Sequence, residues 1–324
     1  MNHRSILNLV AAMALAAPLA VAAQAYPAKP ITWVVGFPPG GGADGVTRMV
    51  AAKMSQNMGQ PILVENRPGA SSTIAAQYVT QQAAPDGYTV MSAEQGVLVF
   101  NAAMFAKLPY DPSKDFAPVS NLIKAPLVLV VNSSFAATDL KSLVEMAKKD
   151  PGKINYGSPG RGIPHHLAME ALKAKAGIDV TDVQYKGIGP VVQGIIANEV
   201  SVAVVDTVVV LPHLKSGKLR ALGTFSAKRL SVTPDVPTLG ELGYADLEIA
   251  PIVGLVAPAK TPREVIARLN AEAHKAVRDP EVNGKLTGLG LEIDLTTPEQ
   301  FAAFLDAEGK RWMPLIRKLN IKLD

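Results

Sequence analysis

From Ile31 onward, short runs rich in β-branched residues alternate with longer runs that carry apolar residues at helical spacing. Such alternation is the pattern of parallel sheets covered by helices, because a helix is the usual crossover that returns a chain to the same edge of a sheet. Strands are predicted over 31–37, 61–65, 88–92, 127–132, 154–157, 180–185, 200–205, 219–225 and 248–257. Helices are predicted over 46–58, 73–82, 140–149, 165–176, 189–198, 262–278 and 298–319. The uninterrupted run Leu-Val-Leu-Val-Val at 127–131 reads as a strand covered on both faces. The expectation is an α/β fold in two lobes, each with a mixed, mostly parallel sheet. Residues 26–125 and 248–324 form the first lobe and 126–247 the second, with a ligand cleft between them.

The first residues set the compartment. Met1 to Arg4 is short and basic, Ile6 to Val21 is almost wholly apolar, and Ala23-Gln24-Ala25 is a small-residue cleavage signal. Residues 1–25 therefore read as a signal peptide removed on export, which places the protein in the periplasm. There is no cysteine, so disulfides, thiolate catalysis and cysteine-ligated metal are excluded. The 32 basic and 28 acidic residues leave a net charge of +4, scattered rather than gathered in a stripe with interleaved aromatics, so no nucleic-acid partner is expected.

The stretch GFPPGGGADG, 36–45, lies between the first predicted strand and the first helix and contains Gly40-x-Gly42-x-x-Gly45. Together with Glu65 at the end of the next strand, this matches the spacing of a dinucleotide loop and its ribose-binding acid. Pro38-Pro39 widens the entry to the turn, however, and an exported protein meets almost no free nicotinamide cofactor. No cofactor is therefore expected. What remains is the underlying physics: bare glycine amides and a helix N-terminus suit any small oxyanion, a carboxylate included. A tight turn with no ligand is the other reading of the same residues. Asp44 reads as the helix cap, paired with Arg48 at i+4.

A second glycine-rich loop, Gly157-Ser-Pro-Gly-Arg-Gly162, sits between strand and helix in the other lobe. Ser158 offers a hydroxyl, the glycines offer amides, and Arg161 reads either as a carboxylate fork or as a solvated loop arginine. His165-His166 does not read as a metal site, since adjacent helical residues point about 100° apart and no H-x-x-x-H accompanies them; His166 reads as a cap or packing residue. Lys186 reads as an anion ligand or a surface lysine. Ser158 stands one place too early for G-x-S-x-G, and Asp206, at the end of a strand, has no obvious histidine to complete a triad.

These residues, with others along the chain, resemble the extracytoplasmic solute receptors of tripartite tricarboxylate transporters, the Bug family. The resemblance runs in order through Tyr26-Pro-x-Lys-Pro-Ile31, Gly36-Phe-Pro-Pro-Gly-Gly41, Val64-Glu-Asn-Arg-Pro-Gly-Ala70, Ala84-Pro-Asp-Gly-Tyr-Thr89 and Leu108-Pro-Tyr-Asp-Pro. It continues through Gly157-Ser-x-Gly-x-Gly162, Tyr185-Lys-Gly-x-Gly-Pro190, Gly217-Lys-Leu-Arg-Ala-Leu222 and Pro234-Asp-Val-Pro-Thr238. It implies a flytrap-like, type II periplasmic-binding fold that closes on a small organic carboxylate and hands it to membrane permease subunits, without catalysis. An exported enzyme acting on a carboxylate, or a ligand sensor for a receptor kinase, is the alternative. Carried onto this chain, the implied ligand-binding residues are Phe37, Pro38, Gly40, Gly41, Ala43 and Asp44 on one side. Ser158, Gly160, Gly162, His166 and Asp206 lie on the other. Two departures stand near the expected cleft: Ser71-Ser72-Thr73 where the family usually carries glycines, and Ile163-Pro164 where a small hydroxyl residue is common. They point to a distal pocket less polar than usual.

Overall fold

The computed structural model describes residues 26–323, so the expected signal peptide lies outside the described residues. The strands are β1 (Ile31–Val35), β2 (Ile62–Asn66), β3 (Thr89–Ala93), β4 (Phe116–Lys124), β5 (Leu127–Asn132), β6 (Asn155–Ser158), β7 (Thr181–Gln184), β8 (Val202–Asp206), β9 (Leu219–Thr224), β10 (Ile252–Pro258) and β11 (Glu292–Ile293). The longer helices are α1 (Gly42–Met58), α2 (Thr73–Gln81), α3 (Leu140–Lys149), α4 (Pro164–Ala176), α5 (Ile188–Ile196), α6 (Thr207–Lys215), α7 (Arg263–Arg278), α8 (Pro280–Gly288) and α9 (Pro298–Lys318). They surround two sheets of order β11-β4-β10-β3-β1-β2 and β7-β6-β8-β5-β9.

Both sheets are mixed, but the expectation that each is mostly parallel needs correction. Among the described residues β1 pairs in parallel with β2 and β3, and β6 with β7 and β8. The other five pairings are antiparallel. The cause is the crossing between sheets. β4 ends at Lys124 and β5 begins at Leu127 in the other sheet, and the return path leads from β9 to β10. Chains entering from the opposite lobe run against the local β-helix-β units. The two crossings lie side by side: Ala125 N–H donates to Pro251 O at 2.8 Å, and Gln95 bonds both Ala250 O (2.7 Å) and Ile252 N–H (3.2 Å).

Local chemistry explains most elements. β5 is buried along its whole length, as its sequence implies for a strand flanked by β8 and β9 and covered on both faces. α3 begins with a capping box in which Asp139 accepts from Ser142 N–H, and Thr297 and Gln300 make another at α9. α1 begins at Gly42 rather than at Val46, so Asp44 lies inside its first turn and Gly41 is the cap, with no side-chain bond. The expected strand over 248–257 begins later, at Ile252, after 248–251 have made the crossing. Four of these elements had no counterpart in the sequence reading: β4, whose Ala-Pro and Ser-Asn pairs disguise its alternation, α6, whose Val-Val-Val start looks like a strand, the short helix α8 and the two-residue β11.

Residues 70–72 give the glycine departure a physical meaning. Ala70, Ser71 and Ser72 have φ of 46°, 51° and 63°, the left-handed region that glycine occupies at no steric cost. Here an alanine and two serines hold this bend under strain. Ser72 is buried beneath Gly36, donating to its carbonyl at 3.1 Å, and a Cβ on Gly36 would come within 2.5 Å of the serine side chain. This contact seats the first glycine-rich loop on the loop after β2.

Candidate functional site

The two glycine-rich loops leave the carboxyl ends of β1 and β6, each in a parallel part of its sheet. Asp206 ends β8, the parallel neighbour of β6, and Glu94 follows β3, the parallel neighbour of β1. Carboxyl ends of parallel strands are where α/β proteins bind ligands, because helix N-termini converge there. The edges approach one another. Gly162, with φ of 74°, packs so closely on Met104 of the opposite part of the fold that a Cβ would collide with the thioether. On the hinge side, Thr207 Oγ1 donates to Gly290 O at 2.9 Å.

In the first loop Asp44 is a buried keystone. Its carboxylate accepts from Gly40 N–H at 2.9 Å, Arg48 Nε at 3.0 Å and Asn66 Nδ2 at 2.8 Å. Asn66 also donates to Phe37 O (2.9 Å) and accepts from Arg48 Nη2 (2.8 Å). Burial by itself pushes this carboxyl up, but the hydrogen bonds from Arg48, Gly40 and Asn66 outweigh it and lower its pKa to about 2. Pro38, Gly40 and Gly41 are exposed and Ala43 is partly so. Gly45 N–H donates to Gly41 O at 2.9 Å, whereas the amides of Gly41, Gly42, Ala43 and Asp44 have no hydrogen-bond acceptor among the described residues. A row of unpaired amides at the positive end of a 17-residue helix has the chemistry to hold an oxyanion. The pairing of Asp44 with Arg48 is as expected; its reading as the cap is not, because the helix starts earlier.

The second loop spends more of its groups on itself. Ser158 is buried and its hydroxyl donates to Gly160 O at 3.1 Å. Gly162 N–H donates to His166 Nδ1 at 3.3 Å, and His166 Nε2 lies 3.6 Å from Asp182. His166 thus holds the loop, a packing role. The amides of His165 and His166 at the start of α4 have no acceptor among the described residues. Arg161 and Lys186 are exposed.

Asp206 does have a histidine. His165 Nε2 stands 3.0 Å from Asp206 Oδ2, with both side chains largely buried. Glu94, which the sequence reading passed over, comes from the other side of the junction. Burial pushes its carboxyl up to about 7, with His165 pulling it down and Asp206 raising it further. Both residues had a visible signal: each stands at or near the carboxyl end of a strand of the type that carries the glycine loops.

Among the described residues no serine hydroxyl hydrogen-bonds the His165–Asp206 pair. The described residues contain a serine–histidine contact, Ser120 Oγ to His274 Nε2 at 2.9 Å, but Ser120 is fully buried in β4. Burial pushes the His274 pKa down, and its Nε2 also lies 3.1 Å from Thr296 O. This is structural cross-linking between β4, α7 and the start of α9. No three His, Asp or Glu side chains are grouped to hold a metal ion among the described residues. A surface cavity of about 550 Å³, lined by Lys53, Asn57, Ala271, Lys275, Arg278 and Asp279, lies on the α1–α7 face, away from both loops.

Known proteins share this architecture. The protein BugT of Bordetella pertussis is 33% identical over 315 residues, covering 97% of this chain and 96% of its own. The adipate-bound structure of Rpa4515 from R. palustris superposes with a TM-score of 0.82 at 30% identity, covering 90% of this chain and 97% of that one. The malate-bound structure of MatC from Rhodopseudomonas palustris gives 0.79 at 32% identity, covering 90% of this chain and 100% of the other. The family model for the tripartite tricarboxylate transporter family receptor matches residues 46–321. That match takes in most of the helix behind the first loop, all of the second loop and both crossings, and by it the chain belongs to the tripartite tricarboxylate transporter receptor family.

Proposed function

We propose that this receptor captures a small organic carboxylate between lobes formed by 26–125 with 248–324 and by 126–247, and delivers it in the periplasm to a membrane permease. The observation that carries this reading is the row of unpaired amides from Gly41 to Asp44, on a loop that buried Asp44 fixes from beneath. Phe37, Pro38, Gly40, Gly41 and Ala43 form the seat, and Asp44 shapes it. Ser158, Gly160, Gly162 and His166 shape the facing loop, with Asp206 at the junction. Relatives solved with adipate and malate support a carboxylate. The protein binds and releases its ligand unchanged. Closure follows from the ligand touching both lobes, which bend at the paired crossings around Ala125 and Pro251.

A thermal-shift screen of mono- and dicarboxylates tests this. A true ligand at about 100 times its dissociation constant adds roughly 2.7 kcal/mol of stability. The reading fails if neutral sugars or amines raise the melting temperature and no carboxylate does.

A further inference from the structure

We infer that the cavity on the α1–α7 face is a second anion site, separate from the ligand cleft, and that Lys53, Lys275 and Arg278 hold there a compact dianion, a phosphate monoester.

The cavity is built from facing helical stripes. Ala271, Lys275 and Arg278 stand at i, i+4 and i+7 on α7 and so share one face, and Lys53 reaches the same cavity from α1. Ala271 contributes only a methyl group, which leaves a hollow between the longer side chains. Lys53 follows the first residue of α1 by 11 positions, roughly 16 Å along the helix axis, so the cavity stands apart from the glycine-loop amides at the other end.

Its charges are not balanced from within. Lys53 Nζ lies 2.5 Å from Asp279 Oδ2, and the other oxygen of that carboxylate accepts from Glu281 N–H (3.1 Å) and Val282 N–H (3.4 Å) at the start of α8. Asp279 is thus spent on fixing Lys53 and capping α8. The Glu281 side chain pairs with Lys285 at 2.8 Å. Lys275 and Arg278 are exposed, and neither has a carboxylate partner among the described residues, whereas Arg268 on the same helix pairs with Glu272 at 3.2 Å. Like charges three positions apart on a helix repel. The negative end of α7 accounts for cations in its last turn, but not for Lys53 meeting them from α1. Three cations against one carboxylate leave the cavity with two positive charges.

That charge and the donor set select the ligand. A cavity of about 550 Å³ is of the size that small molecules fill. The guanidinium offers a planar fork and the two ammonium groups offer point charges, which suit the spread oxygens of a phosphate group carrying two negative charges. A lipid headgroup fits less well, because the lining offers no apolar surface beyond Ala271 to receive an acyl chain.

The test is calorimetric titration of the purified protein with methyl phosphate at pH 8, with methyl sulfate, a monoanion of the same shape, as control and the ionic strength held constant. Methyl phosphate is expected to bind at least tenfold more tightly than methyl sulfate, and the preference should shrink at pH 5, where the phosphate carries a single charge. Lys275→Gln combined with Arg278→Gln should weaken methyl phosphate binding at least tenfold. Ala271→Glu, which supplies a tethered carboxylate four residues before Lys275, should do the same, and in both variants carboxylate affinity stays within twofold. Equal binding of the two probes overturns the inference. So does phosphate binding that is unchanged in both variants, since the anion then sits elsewhere, the glycine-loop amides included. A loss of carboxylate affinity that matches the phosphate loss overturns it too, because one site would then hold both. None of these results removes carboxylate capture, which fails only if no carboxylate of the screen binds.

Discussion

Replacing Asp44 with asparagine changes one atom and should loosen the first loop. Every neighbour of the carboxylate is a donor: Gly40 N–H, Arg48 Nε and Asn66 Nδ2. An asparagine keeps one acceptor and turns the other into an amide nitrogen that faces a donor. The difference between the ordinary carboxyl value of 3.8 and the folded value of about 2 gives the scale. At ~1.4 kcal/mol per tenfold, it amounts to about 2 kcal/mol favouring the ionised form. Arg48 is half exposed and regains water, so the remaining cost falls on Gly40 and Asn66. The loss in unfolding free energy at pH 7 is therefore expected to be about 1–2 kcal/mol. The folded pKa is depressed, so this stabilisation is fully present above 3.8 and disappears as the pH falls through about 2. Urea unfolding of both proteins at pH 7, 5 and 3 would show a constant gap at the first two and a narrowing one at the third. A gap below about 0.5 kcal/mol at pH 7, or one that does not narrow in acid, would refute the keystone role.

Gly162→Ala places a Cβ against Met104 and forces alanine into a left-handed φ of 74°, so carboxylate affinity should weaken about tenfold, measured by calorimetry against wild type. Ser71→Gly relieves an exposed residue held at φ of 51° and should raise stability by about 0.5 kcal/mol in urea unfolding, after the greater freedom of an unfolded glycine is subtracted. Ser120→Ala removes the hydroxyl that contacts His274, donates to Asn121 O and accepts from Thr296 N–H. It should cost about 1–2 kcal/mol of stability and leave carboxylate affinity unchanged, as a structural rather than catalytic serine requires.

Much of the site is legible in the sequence because it is built from backbone. Glycines between a strand and a helix announce unpaired amides, and both loops stand where 36–45 and 157–162 place them. The direction of the strands is less legible. Leu127–Asn132 reads correctly as a buried strand, but nothing local says that it runs against its neighbours, because that follows from the crossing at Ala125. Side-chain partnerships across the junction are the least legible. Asp206 finds His165 41 positions away, and Glu94, at the end of β3 in the other sheet, feels the charges of both. Between His165 and His166 the sequence offers no means of choosing. The frame of α4 decides it, turning His166 back onto Gly162 and His165 toward Asp206.

The most direct test is a crystal structure of the protein with the tightest carboxylate from the screen. A ligand oxygen is expected about 3 Å from the amides of Gly41, Gly42 and Ala43, with the remainder of the molecule touching residues 158–166 of the facing loop. A carboxylate bound elsewhere, with those three amides facing only solvent, would contradict the account.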